Sequence, residues 1–250
     1  MNEEKFTGKA DVYNKFRPTY PSEFIDYLYS EVGFNVDSKI ADIGAGTGIL
    51  SKLLLLRNSN VICVEPNIDM LNVAKRDLIE FPNCSFVKAP AEDTSLDENS
   101  IDFITVAQAF HWFDHDKFKI ECRRILKSEG KLVLIWNTWS KSDELVVEIG
   151  KVNQQLCPNF KGDFGGNHSN LESCENFFKG GICDFKVFKN YLSFNEQEFI
   201  GSNLSLSFAP KENSENYNEY IIELRKLFDK YGKDGIIVIP NVTRSYAGEI

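Results

Sequence analysis

Three glycines at alternate positions, Gly44, Gly46 and Gly48, lie in the run DIGAGTG (42–48). Such spacing lets a chain turn sharply after a strand and brings backbone N–H groups against a ligand. The dinucleotide pattern GxGxxG would need glycine where Ile49 stands, whereas the spacing here is GxGxG. Asp42, two residues before the first glycine, narrows the choice. A carboxylate there repels the pyrophosphate that a nucleotide loop binds at its helix N-terminus. It suits a ligand with an ammonium group and no phosphate. Glu65, which ends VICVE, supplies a second acid where a ribose diol can donate two hydrogen bonds to one carboxylate. S-adenosylmethionine (SAM) has these features: an α-amino group, a sulfonium and an adenosine. Two acids with GxGxG between them point to SAM and weigh against an NAD(P)-dependent oxidoreductase.

Other side-chain chemistry is sparse. Six cysteines (63, 84, 122, 157, 174, 183) form no CxxC pair and sit mostly in apolar or amphipathic runs. They read as reduced thiols of a cytoplasmic protein. His111 and His115 are four apart, but the intervening WFD is expected to be loop, and no histidine joins the cysteines at a ligand spacing. No metal is expected. The net charge of −9 and the lack of a basic stripe argue against a nucleic-acid substrate. No apolar run is long enough for a membrane span, and MNEEKFTGKADVY lacks a signal-peptide core. The expected state is monomer or homodimer.

The elements that must hold these residues follow from periodicity. Apolar runs KIADI, VICVE (61–65), CSFVKA (84–89), IDFITVA (101–107) and KLVLIWN (131–137) read as strands. Stripes at helical spacing separate them, such as Met70, Leu71, Ala74 and Leu78, or Phe118, Cys122 and Ile125. Regular alternation means parallel strands joined by right-handed crossovers, a doubly wound α/β sheet. After Trp139 the pattern changes. A helix is expected over 142–156, a glycine-rich loop over 160–170, one strand in CDFKVFKNYLSF, a helix from Tyr217 to Gly232, and a final strand in GIIVIPNV (235–242). The two late strands predict an antiparallel hairpin at the sheet edge, with 194–232 inserted between them. The 250 residues are expected to form a single domain with a cofactor-binding core over about 36–140.

IADIGAGTGIL, VICVEPN, KAPAEDTSL, IDFITVAQAFHWF and RRILKSEGKLVLI resemble, in order and spacing, the motifs of class I SAM-dependent methyltransferases. VYNKFRPTYP, SLSFAP and IPNVTRSYAGEI are similar to the trans-aconitate methyltransferase-like group of small-molecule enzymes. The resemblance implies a mostly parallel seven-stranded sheet and methyl transfer from SAM, leaving S-adenosylhomocysteine (SAH). By position it implies that Asp42, Gly44, Ala45, Gly46 and Gly48 line the methionine part and that Glu65 binds the ribose. Pro66 or Asn67 would flank the adenine, with Ala91 and Glu92 at its edge. The usual Asp before that alanine is replaced by Pro90. Ala107 and Gln108 would stand by the sulfonium, with His111 and Trp112 just beyond. Tyr13 and Arg17 match the segment that closes over cofactor and substrate, and Arg17 suits a carboxylate.

The [DNS]-PP-[FYW] signature of many amino-methylating enzymes is replaced by AQAF, and no Pro-Cys nucleophile is present. With the acidic charge, these features favour a small organic acceptor. A carboxylate acceptor needs no general base, since it is already anionic; a phenol, alcohol or amine would need one, and His111 is the histidine in the core motifs. A non-catalytic SAM-binding regulator on the same fold remains the alternative. Segments 5–21 and 194–232, with Tyr13, Arg17, Tyr20, Ser205, Ser207 and Phe208, are expected to form a lid over the acceptor.

Overall fold

The computed structural model describes residues 10–162 and 175–250, apart from the side chain of Val12. Five strands follow the expected apolar runs: β1 (Lys39–Ile43), β2 (Asn60–Val64), β3 (Cys84–Val87), β4 (Ile101–Ala107) and β5 (Leu126–Trp139). They pair in parallel, and β1 lies between β2 and β4, so the strand order reverses there. Strands β6 (Asp184–Lys189) and β9 (Asn241–Gly248) complete a seven-stranded sheet, 3-2-1-4-5-9-6, with β9 antiparallel to both β5 and β6.

Side-chain alternation along β5 separates the two layers. Leu132, Leu134 and Trp136 pack with Phe118, Cys122 and Ile125 of α5 (His115–Ile125). Val133 and Ile135 join the opposite cluster, with Phe24 and Ile25 of α2 (Ser22–Tyr27) and Leu50 and Leu54 of α3 (Ile49–Leu55). Helices therefore cover both faces, which explains why these strands are near-continuous apolar runs. Polar caps start the helices that follow β2 and β4. Asn67 accepts from Asp69 N (3.0 Å) and Met70 N (3.1 Å) at the start of α4 (Ile68–Leu78), and Asp114 accepts from Lys117 N (3.2 Å) at the start of α5.

The late part of the chain departs from the expected elements. CDFKVFKNYLSF is two strands, because β6 ends at Lys189 and β7 (Leu192–Phe194) enters a separate two-stranded sheet with β8 (Ile237–Ile239). GIIVIPNV is likewise divided. Pro240 has no N–H to give a ladder, so the chain leaves β8 there and β9 begins at Asn241. The antiparallel β6–β9 pair is thus closed by 194–232 and its flanking short strands rather than by a tight turn. Strand β5 starts at Leu126, earlier than KLVLIWN suggested, and the helix expected over 142–156 runs from Glu144 to Leu156 as α6, capped by Asp143. Most of the expected 160–170 loop, and residues 5–9 of the first lid segment, lie outside the described residues.

Helices α6, α7 (Glu196–Leu204) and α8 (Tyr217–Tyr231) form a third cluster with β7 and β8, around Phe199, Tyr220, Leu224 and Ile239. This cluster is tied to the amino-terminal helix α1 (Ala10–Phe16), which packs on α4 and α7. At Gly201 of α7 a Cβ would lie 2.5 Å from the Phe16 ring, so the absence of a side chain sets how closely the two helices approach.

Candidate active site

A cleft opens at the carboxyl ends of β1 and β4, where the strand order reverses. Ligands bind open α/β sheets at this position. Its wall brings together Tyr13, Arg17, Asp42, Gly44, Ala45, Gly46, Ala107 and Gln108, all expected from the sequence. Tyr20, expected in the lid, also lines it, and Pro18, Thr47, Ile49, Leu50 and Asn137 are added.

The glycine loop is shaped by neighbours that leave no room for side chains. Gly44 has φ +70°, and a Cβ there would lie 2.5 Å from Ala109 Cβ. Gly48 has φ +81°, and its Cβ would meet Leu78 of α4 at 2.7 Å. Both requirements exclude other residues and explain two of the three glycines. Glu65 staples the loop. Its Oε2 accepts from Gly46 N (2.9 Å) and its Oε1 from Asn67 N (2.9 Å), linking the ends of β1 and β2.

Asp42 is 1 % exposed. Ser51 Oγ donates to one carboxylate oxygen (2.5 Å) and Thr105 Oγ1 to the other (2.9 Å). Burial outweighs these bonds and pushes the carboxyl up to about 6. A cation in the cleft would return it to the charged form. Arg17 stands across the cleft, its guanidinium 4.7 Å from the Tyr13 ring centre. Its Nε is buried with no hydrogen-bond partner, as is the hydroxyl of Thr47. Acid, cation and unpaired donors in one cleft fit the ammonium and carboxylate of an amino acid moiety.

Gln108 holds a left-handed backbone at φ +60°, a strained conformation for a residue with a side chain. Its N–H donates to Ile135 O (2.9 Å) and its Nε2 to Asn137 O (3.2 Å), so the end of β5 fixes the end of β4. Asn137 is also the hub of a polar network. Its Oδ1 accepts from Thr243 Oγ1 (2.6 Å) and Asn190 Nδ2 (3.1 Å), while Asn190 Nδ2 also donates to Thr19 O (2.9 Å). These bonds hold the Pro18–Tyr20 segment across the cleft. Tyr20 is so enclosed that burial raises its phenol well above the ordinary range.

The remaining expected residues lie outside this wall. Gly48, Glu65, Pro66 and Asn67 flank it on the β2 side. Ala91 is buried, and Glu92 Oε1 accepts from Asp114 N (2.7 Å), which engages that acid in holding the start of α5. His111 and Trp112 occupy a 3-10 turn, their rings 4.4 Å apart, with Trp112 packed on the core and neither in the cleft wall. Ser205, expected to face the acceptor, is buried and donates to Ser202 O (2.6 Å), and the Phe208 ring lies tilted against Phe160, centroids 4.8 Å apart. Thr47 and Asn137 escaped the sequence reading. Thr47 stood inside the glycine loop, and Asn137 was the polar end of an otherwise apolar run, so both carried a faint signal.

The family model for a methyltransferase domain matches residues 41–134, which carry the glycine loop and both strand-end acids. These residues are similar to a methyltransferase domain. An uncharacterized methyltransferase of Mycobacterium bovis is 36% identical over 147 residues, 59% of this chain. The chain spans only 58% of that relative's length. Solved structures agree on the fold. A protein from Anaeromyxobacter dehalogenans described as a type II methyltransferase has a TM-score of 0.66 at 21% identity, with 94% of this chain and 98% of that one covered. Phosphoethanolamine N-methyltransferase 2 of Haemonchus contortus, solved with SAH and phosphomonomethylethanolamine, has a TM-score of 0.60 at 16% identity, covering 100% of this chain and 60% of that one. The class I methyltransferase fold extends over the seven-stranded sheet. No helix among the described residues is long and apolar enough to cross a membrane.

Proposed function

We propose that the whole chain is a methyltransferase that moves the methyl group of SAM to a carboxylate of a small organic acid, within the trans-aconitate methyltransferase-like group. The observation that carries this reading is the cleft itself, which unites buried Asp42, the glycine loop and the unpaired Arg17 under one segment of chain. Asp42 and Thr47 would hold the methionine ammonium and carboxylate, Glu65 the ribose, and Ala91 and Glu92 the adenine edge. Bound SAM supplies a methyl group already activated by a sulfonium. The chain's residues then have two tasks, alignment of the acceptor and exclusion of water.

A carboxylate loses no proton when it is methylated, so no general base is needed. The placement of His111 outside the cleft wall suits this chemistry, since a base must come within hydrogen-bond reach of the acceptor. His111 and Trp112 shape the turn that follows Gln108. Arg17 attracts the acid, and Tyr13 stacks beneath the guanidinium.

Incubation with methyl-labelled SAM and pools of small acids, amines and phenols tests the reading. Label is expected in the acids. His111→Ala should slow transfer by well under the ~100-fold typical of a lost general base, whereas Arg17→Ala should raise the acceptor KM most. A large His111→Ala loss, with the wild-type rate rising through a histidine-like pKa, would overturn the carboxylate assignment.

A further inference from the structure

Two thiols meet at the edge of the sheet. Cys63 of β2 and Cys84, the first residue of β3, have their sulfurs 3.9 Å apart. Cys63 is fully buried, whereas Cys84 is half-buried. The contact continues inward. Cys63 Sγ donates to Ser51 Oγ of α3 (3.2 Å), and Ser51 Oγ donates to Asp42 (2.5 Å), which lines the cleft. Each thiol and hydroxyl has one proton to give. Ser51 gives its own to Asp42 and so accepts that of Cys63, and Cys63 in turn accepts from Cys84. A relay of hydrogen bonds therefore runs from Cys84 at the sheet edge to the acid of the cleft.

The backbone repeats the connection. Asp42 and Cys63 are direct partners in the β1–β2 pairing, and Glu65, two residues beyond Cys63, holds the glycine loop through Gly46 N. A shift of β2 at Cys63 therefore reaches both strand-end acids. Strand β3 is the outermost of the sheet and begins at Cys84. The sulfur that must move inward to form a bond of about 2.05 Å thus sits where the ladder starts. When Cys84 gives up its proton, the Cys63 S–H turns to it. That bond holds the Cys84 thiol below the ordinary range and, with burial, pushes Cys63 above it. The thiolate is the nucleophile, so Cys84 is the sulfur that reacts first.

We propose that Cys63 and Cys84 are a modification site, a thiol pair that a peroxide oxidises to a disulfide, and that this bond weakens the hold of the cleft on SAM and SAH. The effect on affinity rests on the SAM-binding reading above. The Cys84 thiolate attacks one oxygen of hydrogen peroxide; the O–O bond breaks, a sulfenic acid forms, and the departing hydroxide takes the Cys84 proton as water. The Cys63 sulfur then displaces the hydroxyl from the sulfenic sulfur. The S–S bond forms, the S–O bond breaks, and the hydroxide leaves with the Cys63 proton as a second water. Two thiols lose two electrons and two protons, and one peroxide becomes two waters. The disulfide has no S–H, so Ser51 Oγ loses its donor inside the core while Cys63 is drawn toward β3, away from the Ser51–Asp42 bond.

The test compares the full chain kept reduced with dithiothreitol and the same chain treated with hydrogen peroxide. Peptide mapping without reduction should find the segments that carry Cys63 and Cys84 joined, with the loss of two hydrogens. Calorimetry should then show SAH affinity about tenfold weaker, restored when dithiothreitol reduces the sample. Cys84→Ser should bind SAH within about twofold of the reduced wild type and lose the response to peroxide. The wild-type mapping and affinity need no variant and decide the outcome even if the serine chain folds poorly. Oxidation that leaves these two cysteines unlinked, a linked chain with unchanged SAH affinity, or a peroxide response that survives in Cys84→Ser would overturn the proposal. A reduced chain that binds neither SAM nor SAH, yet still links the two cysteines, would instead remove the SAM reading and with it the effect on affinity, while the modification site stands.

Discussion

Asp42 shows how one buried acid ties ligand binding to protonation. Burial raises its folded-state pKa from 3.8 to about 6, so the ligand-free fold holds this proton more tightly than the unfolded chain does. The resulting stability is complete below about pH 4 and is lost as pH rises through about 6. Asp42→Asn should remove that dependence, leaving the ligand-free variant at least as stable as wild type at neutral pH by thermal melting. Function runs the other way. An ammonium beside Asp42 favours the carboxylate, so SAM affinity should weaken by up to about tenfold per unit as pH falls below about 6. Calorimetry at about pH 7.5 and 5 checks this, and a pH-independent affinity would separate Asp42 from the ammonium. Glu65 acts differently, because its two oxygens already bridge Gly46 and Asn67. Glu65→Ala should cost SAM binding on the order of 2–3 kcal/mol, from the ribose and from a loosened loop. Unchanged affinity in that variant would remove Glu65 from the site.

At the scale of elements, the decisive contact is between α1 and α7. Tyr13 and Arg17 reach the cleft only because Phe16 sits against Gly201, while Asn190 and Asn137 hold Thr19. Gly201→Val should push Phe16 outward and weaken SAM binding by about 1–3 kcal/mol through overpacking. The strands and the β4–β5 core should stay intact. Hydrogen exchange should show faster exchange in residues 10–20 and little change in β1, β4 and β5. If exchange rises equally in the core strands, Gly201 supports the whole fold rather than the closure of this segment. The same measurement with SAH tests the lid: added protection in the amino-terminal segment and in 194–232 is expected alongside the glycine loop.

For the molecule as a whole, the sheet carries the cleft, and helices α6–α8 pack in a cluster of their own with β7 and β8. Binding to the folded state alone should raise stability by mass action, by about 2.7 kcal/mol at 100 times Kd. For a chain of this size that is a rise of roughly 5–10 °C in Tm. SAM and SAH should give the rise in a thermal-shift assay and NAD should not. An equal response to NAD would reopen the dinucleotide reading of the glycine loop.

The sequence alone determined the parts whose physics is local. Alternating apolar runs and helical stripes settled the five parallel strands, since strands buried on both faces must be apolar throughout. GxGxG and Asp42 located one wall of the cleft, because the glycines answer to backbone geometry at the end of β1. The late strands were legible only in part: GIIVIPNV reads as one strand, yet Pro240 divides it, and nothing local tells which sheet β7 and β8 join. Long-range pairing decided that. Tertiary structure also decided that His111 stands outside the cleft wall, that Glu92 holds Asp114, and that Asn137 and Thr47 line the cleft. A side chain's role there depends on which distant segments fold against it, and Thr19, Asn190 and Thr243 meet Asn137 from positions 118, 53 and 106 residues away.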